Sequence, residues 1–221
     1  MEAIDQSLFA RFSAWGAGGL RESVRKAITA RAYDCILHPL GFYFIRLAEH
    51  QHTTIRLHYW PANNGEKGTA ITPYHDHVWS LCSCVLMGMV ENVLLQLDLD
   101  EYGDFQVADI NQADNIDQVI PASSRVRIRI QSSQTYRTDQ FYEIPPRVFH
   151  YTTVPLGNAA LTVVQARVVV QGGPRTLIPV GSKGHMPSRD SIDDSNQILL
   201  EISHLLSKLD SLIIPRIQCG C

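Results

Sequence analysis

The chain has 221 residues, 45% of them hydrophobic and 19% charged, with a formal net charge of −3 at pH 7. This is the composition of a soluble globular protein, long enough to bury a core and most simply one domain with an appended element. The weak charge gives no reason to expect nucleic acid or an anionic membrane as partner, no apolar run approaches a membrane span, and Met1-Glu-Ala-Ile-Asp-Gln-Ser7 lacks the basic start and apolar core of a signal peptide, so a cytoplasmic location is expected.

From about Asp5 to Tyr33 the pattern is helical, with Leu20, Val24, Ala27, Ile28 and Ala32 in one stripe and Arg21, Arg25 and Lys26 outside it. Gly16, Gly18 and Gly19 break this region into two helices. The first 37 residues read as a helical cap packed on a sheet, residues 38–175 as the β domain, and residues 176–221 as a loop and helix on the same domain. From His38-Pro-Leu-Gly41 the apolar period changes to two. Gly41 to Ala48 and Thr53 to Trp60 read as strands joined by a polar turn, and Pro61 to Gly68 as a loop. Thr72 to Gly88 is a histidine-bearing strand, followed by Met89 to Asp98, rich in Val and Leu. Asp98 to Ser124 is acidic and polar and reads as an insertion, and Arg125 to Ile130 alternates with charge on one face only. Val148 to Val154 and Ala160 to Val170 are further strands. Gly172-Gly-Pro174 opens a Gly-, Pro- and Ser-rich segment. Asp193-Asp-Ser195 caps a helix to about Leu209 with a stripe of Ile198, Leu199, Ile202, Leu205, Leu206 and Leu209. Many short strands separated by turn residues predict an all-β sandwich or barrel with flanking helices.

The chemistry concentrates in Thr72-Pro-Tyr-His-Asp-His-Val-Trp79. Residues i and i+2 of a strand share one face, so His75 and His77 aim two imidazoles at one point while Asp76 points the other way. A third imidazole comes from Tyr142-Glu-Ile-Pro-Pro-Arg-Val-Phe-His150, where a proline-marked turn leads into an apolar strand. Imidazole suits Fe, Zn, Ni and Cu, so His75, His77 and His150 form a candidate metal site, with His58 the best competitor as third ligand. No carboxylate follows His77 before Glu91, which favours a neutral ligand set suited to an anionic substrate. His185 and His204 read as solvated. Five cysteines, an odd number, do not make a disulfide framework, and the Cys219-Gly-Cys221 tail has no zinc-knuckle partner.

His75-Asp-His77, an apolar strand closing on Gly88, and a later Pro-x3–4-His resemble the two motifs of the cupin superfamily. The missing glutamate resembles the three-histidine thiol dioxygenases, the cysteine dioxygenase-like cupins, as do Thr72-Pro-Tyr-His-Asp-His-x-Trp, Cys82 five residues after His77, and Tyr43-Phe-Ile-Arg46. The resemblance covers about residues 40–170. It implies a double-stranded β-helix (jelly-roll) barrel and Fe(II), with Ni, Zn or Mn as alternatives. It further implies an oxygenase acting with O2 on a small amino-acid-like or thiol carboxylate, and pairing of two copies through sheet edges. It implies Arg46 on the substrate carboxylate, Cys82 at the cross-linking position and Thr162 in the place of that family's serine. Tyr142, Tyr59, Trp79 and Gln165 complete the set of expected site residues, with Arg56 and Arg167 as alternates to Arg46. A salt bridge to Glu91 or another internal acid is the rival role for Arg46, and a small buried hydrophobe the rival role for Cys82.

One departure from that family bears on specificity. The strand Leu161-Thr-Val-Val-Gln-Ala-Arg167 carries neither the histidine nor the tyrosine that the resemblance calls for. If Thr162, Val164 and Ala166 line the pocket it is roomy and apolar; if Val163, Gln165 and Arg167 do, it is polar. A metal isomerase, lyase or cyclase, with Tyr59, Tyr142 or His58 handling protons, is the second reading, and a metal-poor binding module the third.

Overall fold

The period-two stretches fold into two antiparallel sheets, as shown by a computed structural model that describes residue 12 and residues 16–62, 69–113, 116–182 and 189–213. The helical reading before residue 16 (Phe12 apart), most of the 61–68 loop, His185 and the Cys219–Cys221 tail lie outside the described residues. The first helix is α1 (Ala17–Ala30). The strands are β1 (Cys35–Leu37), β2 (Tyr43–His50), β3 (Thr53–Trp60), β4 (His75–Asp76), β5 (Trp79–Met87), β6 (Met89–Leu99), β7 (Phe105–Ala113), β8 (Ile116–Arg137), β9 (Phe141–Ile144), β10 (His150–Thr153), β11 (Ala160–Val168), β12 (Arg175–Pro179) and β13 (Asp190–Ser191), and the chain's second helix is α2 (Ser195–Ile213). One sheet runs β13-β1-β2-β3-β11-β5-β9, and the strands β10-β4-β12-β7-β8-β6 pair in a closed ring. This is the all-β barrel with flanking helices expected from the strand pattern.

The seven-stranded sheet has two different faces because its side chains alternate. Ile45 and Leu47 of β2, Ile55, Leu57 and Tyr59 of β3, Cys84 and Leu86 of β5, and Leu161 and Val163 of β11 pack against one another. Both helices cover that face, α1 with Leu20, Val24, Ala27 and Ile28, and α2 with Leu199, Ile202 and Leu206. The α2 start is capped as its sequence predicts, with Gln197 N donating to Asp194 Oδ1 at 3.1 Å. Ala32, placed in the α1 stripe by sequence, lies exposed beyond the helix end. Arg21 is buried rather than outward and forms an ion pair with Asp139. The opposite face, Phe42, Phe44, His58, Trp60, Leu81, Val164 and Ala166, looks into the interior between the sheets.

The acidic stretch from Asp98 to Ser124 forms regular strands. It supplies the end of β6, all of β7 and the first half of the 22-residue β8, which pairs with β7 and then with β6. Its polarity reflects the outer face: Arg127 pairs with Asp100 at 2.9 Å and Arg129 with Asp98, all on the solvent side, while Asp117, Val119 and Val126 turn inward.

Gly88, at the β5–β6 turn, has φ +79° and lies against the Ala159 carbonyl, where a Cβ has no room. Gly88→Ala is therefore expected to cost roughly 2 kcal/mol or more, combining left-handed strain with a clash against backbone. Urea denaturation measures this, and an unchanged midpoint would contradict the packing at this turn.

Candidate metal centre

The two leading histidines do not lie on one strand, as their spacing predicted. His75 belongs to the two-residue strand β4 of the ring, and by Trp79 the chain has entered β5 of the other sheet. His77 sits at the crossing between sheets. The imidazoles still converge. His75 is directly opposite His150 of β10 in the antiparallel register. Ring centroids are 4.8 Å apart for His75 and His77, 4.4 Å for His75 and His150, and 4.7 Å for His77 and His150. One ring nitrogen from each lies within 4.8 Å of the others. Two bonds of about 2.1 Å to one ion put the donor nitrogens roughly 3 to 3.4 Å apart, so ring adjustments of about 1 Å would close the set around a metal.

Hydrogen bonds made by Asp76, Arg175 and Arg147 hold this arrangement. Asp76 points away from the histidines, as expected, and is fully buried. It accepts from Arg175 Nε at 2.8 Å and from the Arg175 backbone N at 2.8 Å, locking β4 to β12. On the other side, Arg147 N donates to the His77 carbonyl at 2.8 Å. Arg147 has φ +64° at the turn after Pro145-Pro146. Its guanidinium donates to the Gly173 and Gln171 carbonyls at 2.8 and 2.7 Å. The turn that delivers His150 is thus fastened to His77 itself.

The chemistry of the donors fits a metal. His75 Nδ1 lies 2.8 Å from the Pro73 carbonyl and His150 Nδ1 2.9 Å from the Val148 carbonyl. A carbonyl only accepts, so both Nδ1 atoms carry the proton and both Nε2 lone pairs are free. His77 Nδ1 is buried with no hydrogen-bond partner among the described residues. Burial pushes all three imidazoles below their ordinary pKa, His150 to about 3, with the neighbouring histidines adding to the shift for His77 and His150. The ligands are therefore neutral and ready at pH 7 without releasing protons. No carboxylate joins the group among the described residues.

The centre opens into a cavity of about 400 Å³ between the sheets. Trp79 and Tyr142 line it. The Trp79 ring stacks on His77 at 4.8 Å and 18°. Burial raises the Tyr142 phenol to about 12, the Ser83 hydroxyl acting in the opposite direction. Of the two alternatives for β11, the apolar one holds: Val164 and Ala166 line the cavity. Thr162 shares their face but is buried beneath the lining, its hydroxyl without a partner among the described residues. Gln165 lies on the helix side, opposite Ile55 and Cys82, and is withdrawn from the site. Tyr59 is withdrawn too: it is buried under α2 and donates to Glu201 at 2.6 Å, and burial raises its pKa further. Cys82 packs against the helix-side core and not toward the histidines; burial raises its thiol to about 11, which fits the small-hydrophobe role.

Arg46 reaches only the cavity margin, half exposed and paired with Glu49 at 3.1 Å rather than with Glu91. A β-bulge between Arg46 and Ala48 turns Ala48 to the helix side, so Arg46 shares its face with Phe42 and Phe44 alone. Of the two alternates in the sequence reading, Arg56 lines the cavity and Arg167 lies exposed. His58 lines the cavity outside the metal group and is held neutral by burial, down to about 3. His204 is exposed on α2. Sequence reasoning missed His38, which stacks on Phe42 at 4.5 Å, and the Asp117–Arg189 pair, joined by bonds of 2.9 and 2.8 Å on the cavity wall. The inward alternation of Asp117 and Val119 between exposed Ile116, Gln118 and Ile120 was the pattern that marked it.

No protein-family model matches the chain, and no curated protein matches it. Solved structures match at low similarity. The Cnp3 cupin domain of Schizosaccharomyces pombe is 9% identical over 58% of this chain and 66% of that one, with a TM-score of 0.33. The DMSP lyase DddQ of Ruegeria pomeroyi is 14% identical over 75% and 70%, TM-score 0.43. The polyketide cyclase RemF of Streptomyces resistomycificus is 12% identical over 80% and 93%, TM-score 0.37. Among the described residues no helix is long and apolar enough to cross a membrane.

Replacing His75, His77 or His150 by Ala, one at a time, is expected to cut metal occupancy sharply with the fold intact by circular dichroism; full occupancy in all three variants would refute the site. Asp76→Asn is expected to cost about 2 kcal/mol, the low side of a broken buried pair because Arg175 keeps a third of its exposure. The metal-free protein should lose stability as pH falls from about 6.5 toward 3. Unfolded imidazoles protonate near 6.5, but folded His58 and His150 only near 3, so in that window the unfolded chain binds more protons. Denaturant midpoints that stay flat across it would contradict the burial assigned to these rings.

Proposed function

We propose that the chain is a divalent-metal enzyme of the cupin oxygenase type, using Fe(II) on His75, His77 and His150 and acting with O2 on a small organic molecule. The observation that carries this is the convergence of three neutral imidazoles, with no carboxylate in the group among the described residues, at the wall of a cavity whose lining is mainly apolar. When bound, the ion supplies the redox and Lewis-acid chemistry that the side chains lack. The chain's own residues bind, shield and hold protons. Phe42, Trp60, Trp79 and Val164 give the cavity an apolar lining that limits water. Tyr142 keeps its phenolic proton at neutral pH and serves as a hydrogen-bond donor to whatever occupies the cavity. His58 stays neutral and offers a base or acceptor on the cavity face of the same sheet. The second reading, a metal lyase, isomerase or cyclase, draws on this same pair, since a buried neutral imidazole and a buried phenol suit proton transfer.

A small thiol amino acid is a poor match to this cavity. Cys82 and Gln165 face the helices, and Val164 and Ala166 leave the floor apolar. Iron-loaded protein given cysteine as sole substrate is therefore expected to consume oxygen well below an ordinary enzymatic rate of about 1 per second. Turnover at or above that rate would show that a roomy apolar floor does not exclude cysteine. Oxygen uptake across a panel of small carboxylates and phenols tests the oxygenase reading. Substrate conversion that proceeds equally without oxygen would move the assignment to the second reading.

A further inference from the structure

His38 has one polar atom that the fold leaves unused. The chain reverses at His38-Pro-Leu-Gly41, where Gly41 takes φ +84° and donates from its N to the His38 carbonyl at 2.8 Å. His38 N donates to the Phe42 carbonyl at 2.8 Å, and Leu40 N donates to His38 Nδ1 at 3.2 Å. A backbone N–H can only donate, so Nδ1 contributes its lone pair and the single proton of the neutral imidazole sits on Nε2. Burial, followed by the Arg189 charge, pushes the ring well below its ordinary pKa, in agreement with that tautomer. Three of the four polar atoms of this residue are therefore engaged. The fourth, the Nε2–H donor, has no hydrogen-bond partner among the described residues, although the ring lines the cavity.

The surroundings of this donor are flat and apolar. The ring stacks on Phe42 at 4.5 Å and 8°, and Phe42 in turn meets His58 at 4.7 Å and Trp60 at 5.0 Å. Stacking and the backbone bonds together hold the imidazole in one orientation. A donor withdrawn from bulk water costs free energy until an acceptor reaches it. The charge that acts most on His38, that of Arg189, is joined to the Asp117 carboxylate by bonds of 2.9 and 2.8 Å, so it does not call for an anion. A neutral oxygen is the matching acceptor. A carbonyl on a planar apolar body matches both the donor and the aromatic surface beside it.

We propose that His38 is a substrate-binding residue whose Nε2–H donates to a neutral carbonyl oxygen of a small planar molecule packed against Phe42 and Trp60. The word substrate rests on the metal-enzyme reading, but donation at His38 does not need the metal. A turn-capping role alone would use only Nδ1, so the two roles separate by reach. Asparagine can offer an oxygen to Leu40 N but falls short of the Nε2 position. Glutamine places an amide N–H near that position and gives up the cap.

The test uses acetophenone as probe and α-methylstyrene, in which a methylene group replaces the carbonyl oxygen, as its apolar isostere. Calorimetric titration reads the affinities, and infrared spectroscopy reads the carbonyl stretch of bound acetophenone. In unmodified protein that band should lie below its position in hexane, as it does for a hydrogen-bonded carbonyl. His38→Asn should return it to the hexane position and weaken acetophenone binding roughly fivefold, the worth of one neutral hydrogen bond. His38→Gln should keep the lowered band and most of the affinity. α-Methylstyrene should bind all three proteins alike. His150→Ala, which removes the metal, should keep the lowered band. An unshifted band in unmodified protein, or no saturable acetophenone binding up to its solubility limit, overturns the proposal whether or not the variants fold. So does a lowered band that survives in His38→Asn; if it is lost in His150→Ala as well, the carbonyl sits on the metal. A lowered band that needs His38, in protein that binds no metal, would uphold the donor while removing the metal-enzyme reading.

Discussion

The candidate site depends on a buried charge that faces away from it. Asp76 has no exposed surface, and its carboxylate is satisfied by the guanidinium and backbone N of Arg175. A carboxylate desolvated to this degree is stable only when paired and hydrogen-bonded. That requirement fixes the two-residue strand β4 against β12, which is otherwise too short to hold a register. With Asp76 anchored on one side of the strand, His75 is forced to the other, across from His150. Arg147 completes the frame by bonding the His77 carbonyl and lying 3.6 Å from the Asp76 carboxylate. Two arginines and one aspartate position three histidines without touching the point where those histidines meet.

The division of labour in the larger sheet follows from side-chain alternation. One face of β2, β3, β5 and β11 is sealed by α1 and α2 over aliphatic side chains, and the other is aromatic and lines the cavity. The sealed face supplies the stability, and the aromatic face is free to be specific. Burial holds the unpaired titratable groups neutral: His58 and His150 are pushed down, the Tyr142 phenol and the Cys82 thiol up. Arg56, partly exposed on the cavity side of β3, keeps its charge at neutral pH because burial lowers its pKa only to about 10.

Much of this was legible in the sequence. The three histidines, the apolar run after them, the inward-facing alternation of residues 161–167 and the capped C-terminal helix all follow from period and turn residues. Side-chain facing was legible only where the strand is regular. The bulge at Arg46–Ala48 broke the parity that made Arg46 seem to share an apolar face with Ala48. Tyr59 and Cys82 were placed near the site by type and resemblance, but they have the same parity as the helix-covered residues Leu57 and Cys84. The sheet crossing at His77 leaves no compositional trace, because His-x-His reads as one strand whether or not the chain changes sheets. The pairings of Asp76 with Arg175 and Asp117 with Arg189 join residues 99 and 72 apart, beyond the reach of any local pattern.

The central claim is that three imidazoles and no carboxylate hold one metal ion. X-ray absorption spectroscopy on protein reconstituted with one equivalent of Fe(II) or Zn(II) addresses it directly, since imidazole rings give a distinctive multiple-scattering pattern and a first shell at about 2.1 Å. The account predicts three imidazoles per metal, with the remaining first-shell positions filled by water or added ligand. A shell with fewer than three imidazoles, or one containing a protein carboxylate or thiolate, would contradict it.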